Sequence, residues 1–437
     1  LIEFKGKYTD AHIMIDEVDT STMSQVVEMI NNKVFVNPVR IMPDCHAGKG
    51  SVIGFTMEVG DKIIPNIVSV DIGCGMLSGN LGKNVFATVR KDQLDRAMRK
   101  AVPVGTNHRK DVSKELDMGL FYQRVKVQLA NLRVQFCIRY NMVMPQMKWD
   151  EAELEGLCRT IGCDFERVIK SIGSLGGGNH FIEIGKSDET GDYWLTIHSG
   201  SRNFGKCIAE YHQKKAQATC GQSAVTKEVY VQWVKNNHSK KNYAKEIARY
   251  DELYGKTYVP RGMEYLQGED MYMYLCHMII AQTYADFNRK VMMDELAHVL
   301  DDLGIDHLDF GEEITTVHNF IDFKDWIIRK GAIRSYEGEK MIIPFNPKTG
   351  LIICEGKSNP EWNYSAPHGA GRLYSRSEAK RRITKEMAEQ AMEGVYASTK
   401  PLDESPLAYK DAEIIEMCIE PTATIIDRVR PVMNIKG

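Results

Sequence analysis

The sequence predicts an α/β fold whose chemistry lies in strand-end loops, and three observations carry that expectation. Strand-like, glycine-punctuated blocks alternate with helical ones along the chain. The residues able to bind metal or attack phosphorus fall almost wholly in the strand-like blocks. No internal repeat, low-complexity tract or linker interrupts the pattern. One intimately mixed domain over residues 1–437 is therefore expected, with a mainly helical stretch at about 206–300.

The first strand-like block is residues 34–80. Val34-Phe-Val-Asn-Pro-Val-Arg-Ile-Met, Ser51-Val-Ile-Gly-Phe-Thr-Met and Ile63-Ile-Pro-Asn-Ile-Val-Ser-Val read as buried strands. From Arg90 to about Lys170 the spacing turns helical, with amphipathic segments beginning at Lys91 and Glu151. Strand and glycine loop return over 171–205. Beyond them, Tyr272, Cys276, Ile279 and Ile280 recur at helical spacing in a long core helix. Lys227–Lys256 is the most charge-dense stretch and reads as a solvated helical face. A third glycine- and strand-rich block spans Val317–Arg376, followed by an amphipathic helix at about Ser377–Gly394 and a short apolar end.

A chain of 437 residues, 43% hydrophobic and 26% charged, buries a sizeable core without disulfides or a structural metal. Disordered, collagen-like and small disulfide-scaffold classes are excluded. Lys and Arg total 56 against 59 Asp and Glu, so the net charge of -3 gives no global polyanion-binding signature, and a nucleic-acid surface must be local. The ten cysteines contain no CxxC pair and read as neither a disulfide framework nor a structural zinc site. No apolar run approaches the roughly 18 residues of a membrane span. The opening Leu1-Ile-Glu-Phe-Lys-Gly-Lys lacks the apolar stretch of a leader, so a reducing, cytoplasmic setting without a membrane partner is expected.

Six clusters hold the chemistry. Pro43-Asp44-Cys45-His46-Ala-Gly-Lys-Gly reads as a polar loop between strands, and Val70-Asp71-Ile-Gly-Cys74-Gly sets a carboxylate and a thiol three residues apart on a glycine turn. Gly173-Ser-Leu-Gly-Gly-Gly-Asn179-His180-Phe181-Ile182-Glu183 joins a glycine turn to a strand. His198-Ser-Gly-Ser-Arg202 and His318-Asn319 follow. Asp71, Cys74, His180, His198 and His318 could hold one or two divalent ions, with the thiolate bridging if there are two. His12, His108, His212, His238, His277, His298 and His307 lack such settings and read as structural or surface residues.

In the sixth cluster, Ser365-Ala-Pro-His368-Gly369-Ala370-Gly371-Arg372, a histidine sits beside glycine amides and a guanidinium. That suits an imidazole attacking phosphorus while amides and Arg hold the phosphate oxygens, or a non-catalytic phosphate cradle. GxxxxGK[ST] is missing, which disfavours P-loop hydrolysis.

In their order, these motifs, with Arg329-Lys-Gly-Ala and Val432-Met-Asn-Ile-Lys-Gly, resemble the RtcB RNA-splicing ligases from about residue 40 to Gly437. The resemblance implies an RtcB-like fold of mixed sheets with surrounding helices. It also implies a GTP- and Mn²⁺-dependent ligase joining RNA 3'-phosphate or 2',3'-cyclic phosphate ends to 5'-hydroxyl ends, in RNA repair or tRNA splicing. His368 would carry the guanylate as a His-GMP phosphoramidate and pass it to the RNA 3'-phosphate. Asp44 would orient His368, and Asp71, Cys74, His180, His198 and His318 would be the ligands of two manganese ions, with Cys74 bridging. Guanylate contacts carry over to Asn179, His180, Phe181, Ile182, Glu183, His318, Asn319, Pro344, Asn346, Leu351, His368, Gly369, Ala370, Gly371, Arg372, Tyr409 and Lys436. Arg202 and Arg376 would meet RNA, and an archease-like activator is among the implied partners.

Two departures stand out. The family pattern Ile-Pro-Gly-Ser-Met-Gly is replaced by Ile343-Pro344-Phe345-Asn346-Pro347-Lys348-Thr-Gly350-Leu351, which points to a rearranged nucleotide pocket. Cys45 replaces an apolar residue and reads as an inert buried thiol rather than an oxidation-sensitive one. The alternative function is a metal-dependent RNA-end phosphatase or phosphodiesterase without nucleotidyl transfer. A non-catalytic RNA-end-binding protein would have no need of the metal constellation. Arg90, Arg96, Arg99, Lys100, Arg109 and Lys110 form a further basic patch in the sequence.

Overall fold

The computed structural model describes residues 1–221, 227–250, 259–307 and 312–437. The expected α/β architecture is present. One sheet runs, in spatial order, Ile2–Lys5, Asp10–Ile13, Val39–His46, Ile53–Glu58, Ile327–Lys330 and Asn319–Asp322, with one parallel pairing between Asp10–Ile13 and Val39–His46. The other runs Glu313–Val317, Gly75–Gly82, Tyr193–Ser199, Phe181–Ser187, Ala423–Lys436, Gly350–Gly356 and Lys340–Asn346, antiparallel throughout. The strands Glu313–Val317 and Asn319–Asp322 belong to different sheets, and the single residue between them is His318.

The helix Gly268–Asp302 ties the sheets together. Its 35 residues span about 52 Å at 1.5 Å per residue. From Met271 to Ala285 it is buried on nearly all faces, and further on Asp286, Lys290, Asp294 and His298 keep one stripe open to solvent. Met271 to Val291 lie in the apolar core that includes Phe55, Ile41 and Ile328 of the first sheet. Met292, Met293 and Leu296 lie in the core that includes Ile182, Leu195 and Ile197 of the second. Tyr272, Cys276, Ile279 and Ile280 are buried as their spacing predicts. Among the described residues, no helix is long and apolar enough to cross a membrane.

Three expectations need correction. The run from Val34 becomes a strand only at Val39, past Pro38, and it continues to His46, so Asp44 stands on a strand rather than in a loop. The run from Ile63 pairs only at Lys62–Ile63, because Pro65 lacks an amide proton and starts a 3₁₀ turn over Pro65–Ile67. The helix expected at 377–394 is two helices. Arg376–Arg382 ends at the extended Ile383, and the Thr384 side chain then accepts from the Met387 amide to open Lys385–Ala391. The charge-dense stretch is helical where described, in Lys227–Asn237 and Tyr243–Ala248, and its residues 251–256 lie outside the described residues.

Candidate active site

Sheet register gathers the candidate metal ligands at one end of the second sheet. His198 pairs across to Met76 on one side and Phe181 on the other, which sets it beside Cys74 and His180 at the neighbouring strand starts. Val317 pairs with Gly75, and one residue further the His318 amide donates to the Cys74 carbonyl at 2.9 Å. The Cys74 Sγ lies 3.3 Å from His198 Nε2 and 3.4 Å from His180 Nε2. His198 Nε2 is 3.4 Å from His318 Nε2, and His180 Nε2 is 3.0 Å from Asp71 Oδ2. Two ligand triads result, Cys74 with His198 and His318, and Cys74 with Asp71 and His180, sharing the sulfur.

The donor set fits divalent cations. Nδ1 of His180 and of His198 faces a backbone carbonyl, of Leu175 at 2.9 Å and Asn179 at 3.2 Å, so each donates there and keeps a lone pair on Nε2. Those lone pairs converge on the Cys74 sulfur, an arrangement that a cation satisfies. Burial holds His198 and His318 well below the ordinary imidazole range, so both are neutral, the form that metal ligation requires. Burial, then the charge of Asp71, pushes the Cys74 thiol well up. A bound cation reverses that preference, because it takes the thiolate directly.

The scaffold under these ligands comes from the long helix, and sequence reasoning missed it. Arg289, wholly buried, donates to the carbonyls of Gly73 at 2.7 Å and Ser199 at 2.8 Å. Asn288 accepts from the Gly173 and Ser174 amides and donates to the Gly200 carbonyl. Nothing local marks either residue, since each looks like helix interior in the sequence.

His368 follows the short strand Ser365–Pro367. Pro367 pairs with Ala332, and the neighbouring Gly331 amide donates to the His318 carbonyl, which brings the two histidine rings to 4.8 Å between centroids. The Asp44 carboxylate, completely buried, meets His368 Nδ1 through Oδ2 at 2.6 Å. Nδ1–H donates to this carboxylate, which leaves the lone pair on Nε2. Gly371 adopts φ 74°, and a Cβ there would run into the carbonyl oxygen of Asp44, so only glycine lets the two segments close on one another.

Beyond His368 opens a cavity of about 340 Å³. It is lined by Asp71, Cys74, Asn179, Phe181, Glu183, His198, His318, Asn319, Pro344, Asn346, His368, Gly369, Ala370, Gly371, Arg372, Arg376, Tyr409 and Lys436. Phe345 and Pro347 of the divergent 343–351 segment add to its wall. There the Asn346 Oδ1 accepts from the Lys348 and Thr349 amides and shapes the turn.

Four expected contacts stand apart from the cavity. His180 turns its ring to Cys74, Asp71 and the Leu175 carbonyl and is not among the lining residues. Ile182 alternates to the opposite face of its strand and packs with Leu195 and Ile197. Leu351 is buried with Met76 and Trp194. Arg202 is spent on Ser174 Oγ at 3.0 Å and the Gly105 carbonyl at 2.9 Å, so its guanidinium props the glycine loop. The basic patch of the sequence is also largely consumed. Arg90 and Arg96 pair with Asp92, Arg99 with Asp95, and Arg109 with Glu295.

At the far side of the cavity, Glu404 was not foreseen. This buried carboxylate meets Lys436 Nζ at 2.9 Å, the Tyr409 hydroxyl at 2.5 Å, and Arg372 and Arg376 at 3.2 and 2.6 Å. Burial alone would raise it, but the cations of Lys436 and Arg376 hold it below the usual carboxylate range. Glu183 has a different setting. Burial pushes it up to about 8 despite the Asn434 amide, which donates to it at 2.8 Å. Cys45 is buried and its thiol is pushed up to about 12 by that burial, in keeping with the inert reading. Elsewhere His212 and His277 form a buried pair at 2.9 Å, a structural role as expected.

Residues 25–437 match the model of the family described as RtcB, tRNA-splicing ligase RtcB. The chain belongs to the RtcB family. It is 27% identical to the RNA-splicing ligase RtcB of Escherichia coli, over 96% of this chain and 95% of the relative. It is 26% identical to the tRNA-splicing ligase RtcB of Aeropyrum pernix and 25% identical to that of Archaeoglobus fulgidus, in each case over 91% of this chain and 87% of the relative. The matched span covers nearly the whole chain and includes the Asp44–His368 pair and the ligand cluster.

Proposed function

We propose that this RtcB-family RNA ligase works through a histidine–guanylate intermediate, joining RNA 3'-phosphate or 2',3'-cyclic phosphate ends to 5'-hydroxyl ends. The observation that carries the reading is the buried Asp44 carboxylate on His368 Nδ1 at 2.6 Å, which leaves Nε2 as the nucleophile beside the ligand cluster. His368 Nε2 attacks the α-phosphorus of GTP and pyrophosphate leaves, forming the phosphoramidate. As Nε2 bonds to phosphorus the ring becomes cationic, and Asp44 stabilises that charge. The RNA 3'-phosphate then takes the guanylyl group from His368, and the 5'-hydroxyl displaces GMP to make the phosphodiester. A cyclic phosphate is first opened to the 3'-phosphate.

Manganese, held by Asp71, Cys74, His180, His198 and His318, would supply positive charge against the phosphates. Arg372 and the amides of Gly369 to Gly371 suit the phosphate oxygens. Glu183 suits the base. Ionised, it accepts from the adjacent N1–H and N2–H of guanine, and those two donors would favour the charged form that burial disfavours, whereas adenine offers one donor beside an acceptor.

The test is a denaturing gel of the protein incubated with α-labelled GTP and Mn²⁺, beside ATP and the His368→Ala variant. An acid-labile label that requires GTP and His368 is the expected result. No label, with metal-dependent phosphate release from RNA ends, would replace the ligase reading with the phosphatase one.

A further inference from the structure

Between His198 and His318 in the chain, the segment Val229–Tyr250 forms a helical hairpin with a small core of its own. Tyr230, Val234 and Tyr250 are buried together, with Tyr243 and Ile247 against them. Tyr230 and Tyr243 seal the two arms through hydroxyl bonds to the carbonyls of Glu246 at 3.2 Å and Lys235 at 2.9 Å. The outside is very different. Lys235, Lys240, Lys241, Lys245 and Arg249 are all exposed, and the one carboxylate between Val229 and Tyr250 is Glu246, which is paired to Arg249 at 3.0 Å. None of the four lysines has a carboxylate within ion-pair reach among the described residues. In a chain of net charge -3, this is a concentrated positive surface.

Trp233 adds a second, independent observation. It is 51% exposed and stacks on Tyr230, with centroids 5.9 Å apart and planes 21° from parallel. A solvated face stabilised by charge alone has no use for an exposed indole. Unpaired nucleotides, by contrast, are held by cations along the backbone and aromatic faces under the bases.

We propose that this hairpin is a docking surface for the single-stranded body of the substrate RNA, with Lys235, Lys240, Lys241 and Lys245 on phosphates and Trp233 under a base. The proposal rests on the RNA-ligase reading for its ligand, but it concerns RNA held away from the ends being joined. An acidic protein or an anionic membrane would match the charge and leave the stacked indole unused.

The test measures binding of a labelled 20-nucleotide single-stranded RNA with a 3'-phosphate to the full chain across a salt series. The wild type is compared with a variant carrying Lys→Ala at 235, 240, 241 and 245, a Lys→Arg version of the same, and Trp233→Ala. The Ala variant should bind at least about tenfold more weakly at low salt, and its slope of log affinity against log salt should be shallower by about 3, near 0.7 per lost phosphate contact. The Arg version should keep the wild-type slope, and Trp233→Ala should weaken binding without changing it. Labelling of His368 by GTP needs no RNA and should be unchanged in all variants. Equal affinity and slope in wild type and Ala variant would overturn the proposal, as would lysine-dependent binding of polyglutamate or phosphatidylserine vesicles that equals that of RNA. A wild type that binds RNA through the hairpin but takes no label would instead count against the histidine–guanylate reading.

Discussion

At the scale of single residues, the Asp44–His368 pair sets the tautomer on which the proposed nucleophilic attack depends. Asp44→Asn keeps the shape and removes the charge, and its amide can donate to Nδ1, which returns the proton to Nε2. Loss of an orienting carboxylate of this kind lowers turnover about 10⁴-fold. The rate of His368 labelling by GTP should fall by that order while manganese content stays the same. Glu404→Ala removes the acceptor shared by Lys436, Tyr409, Arg372 and Arg376. It leaves the buried Lys436 ammonium without a carboxylate, at a cost of about 3–5 kcal/mol, while Arg376 keeps Asp403 at 3.0 Å. Urea midpoints should show that loss, and the KM for GTP should rise more than kcat falls, with Glu404→Gln recovering part of both. Glu183 gives a pH signature. Its folded value near 8 exceeds the unfolded carboxylate value, so the folded state binds the extra proton and stability falls as pH rises from about 4.5 to about 8. Glu183→Gln should flatten that fall when unfolding is followed at several pH values across the interval.

At the scale of elements, Gly371→Ala is the sharpest probe. The residue sits at φ 74° against the Asp44 carbonyl, so a methyl group must push apart the strand bearing Asp44 and the loop bearing His368. Labelling of His368 should be lost while manganese binding at Cys74 and the three ligand histidines persists. The same elements show what the sequence made legible. The five ligands stood out because each is a chemically distinctive side chain, four of them near a glycine and His318 between two strand-like runs, at places where backbone pairing leaves side chains free to converge. Asp44 was recognised as a residue but placed in a loop, because Pro43 and Gly48 read locally as loop text while the pairing partner at Phe55 and Ile53 lies further along the chain. Glu404, Asn288 and Arg289 carried no local signal, since their roles arise only from what folding sets beside them. Arg202 looked like a substrate contact for the same reason. Its real acceptors, Ser174 and Gly105, are remote in sequence.

At the scale of the whole molecule, the helix Gly268–Asp302 passes through both large apolar cores, and its Asn288 and Arg289 hold the backbone under the ligands. We propose on this basis that the described elements behave as one catalytic domain. A single calorimetric transition, with unfolding enthalpy equal to the van't Hoff value, is the expected result, and two separated transitions would refute it. The helix has a kinetic corollary as well. Its central amides cannot exchange with deuterated solvent until both sheets have let go, so they should be the slowest in the molecule and share one opening free energy with the strands Ile53–Glu58 and Tyr193–Ser199. Manganese should slow exchange in both sheets to the same degree, including at strands that never approach the ion.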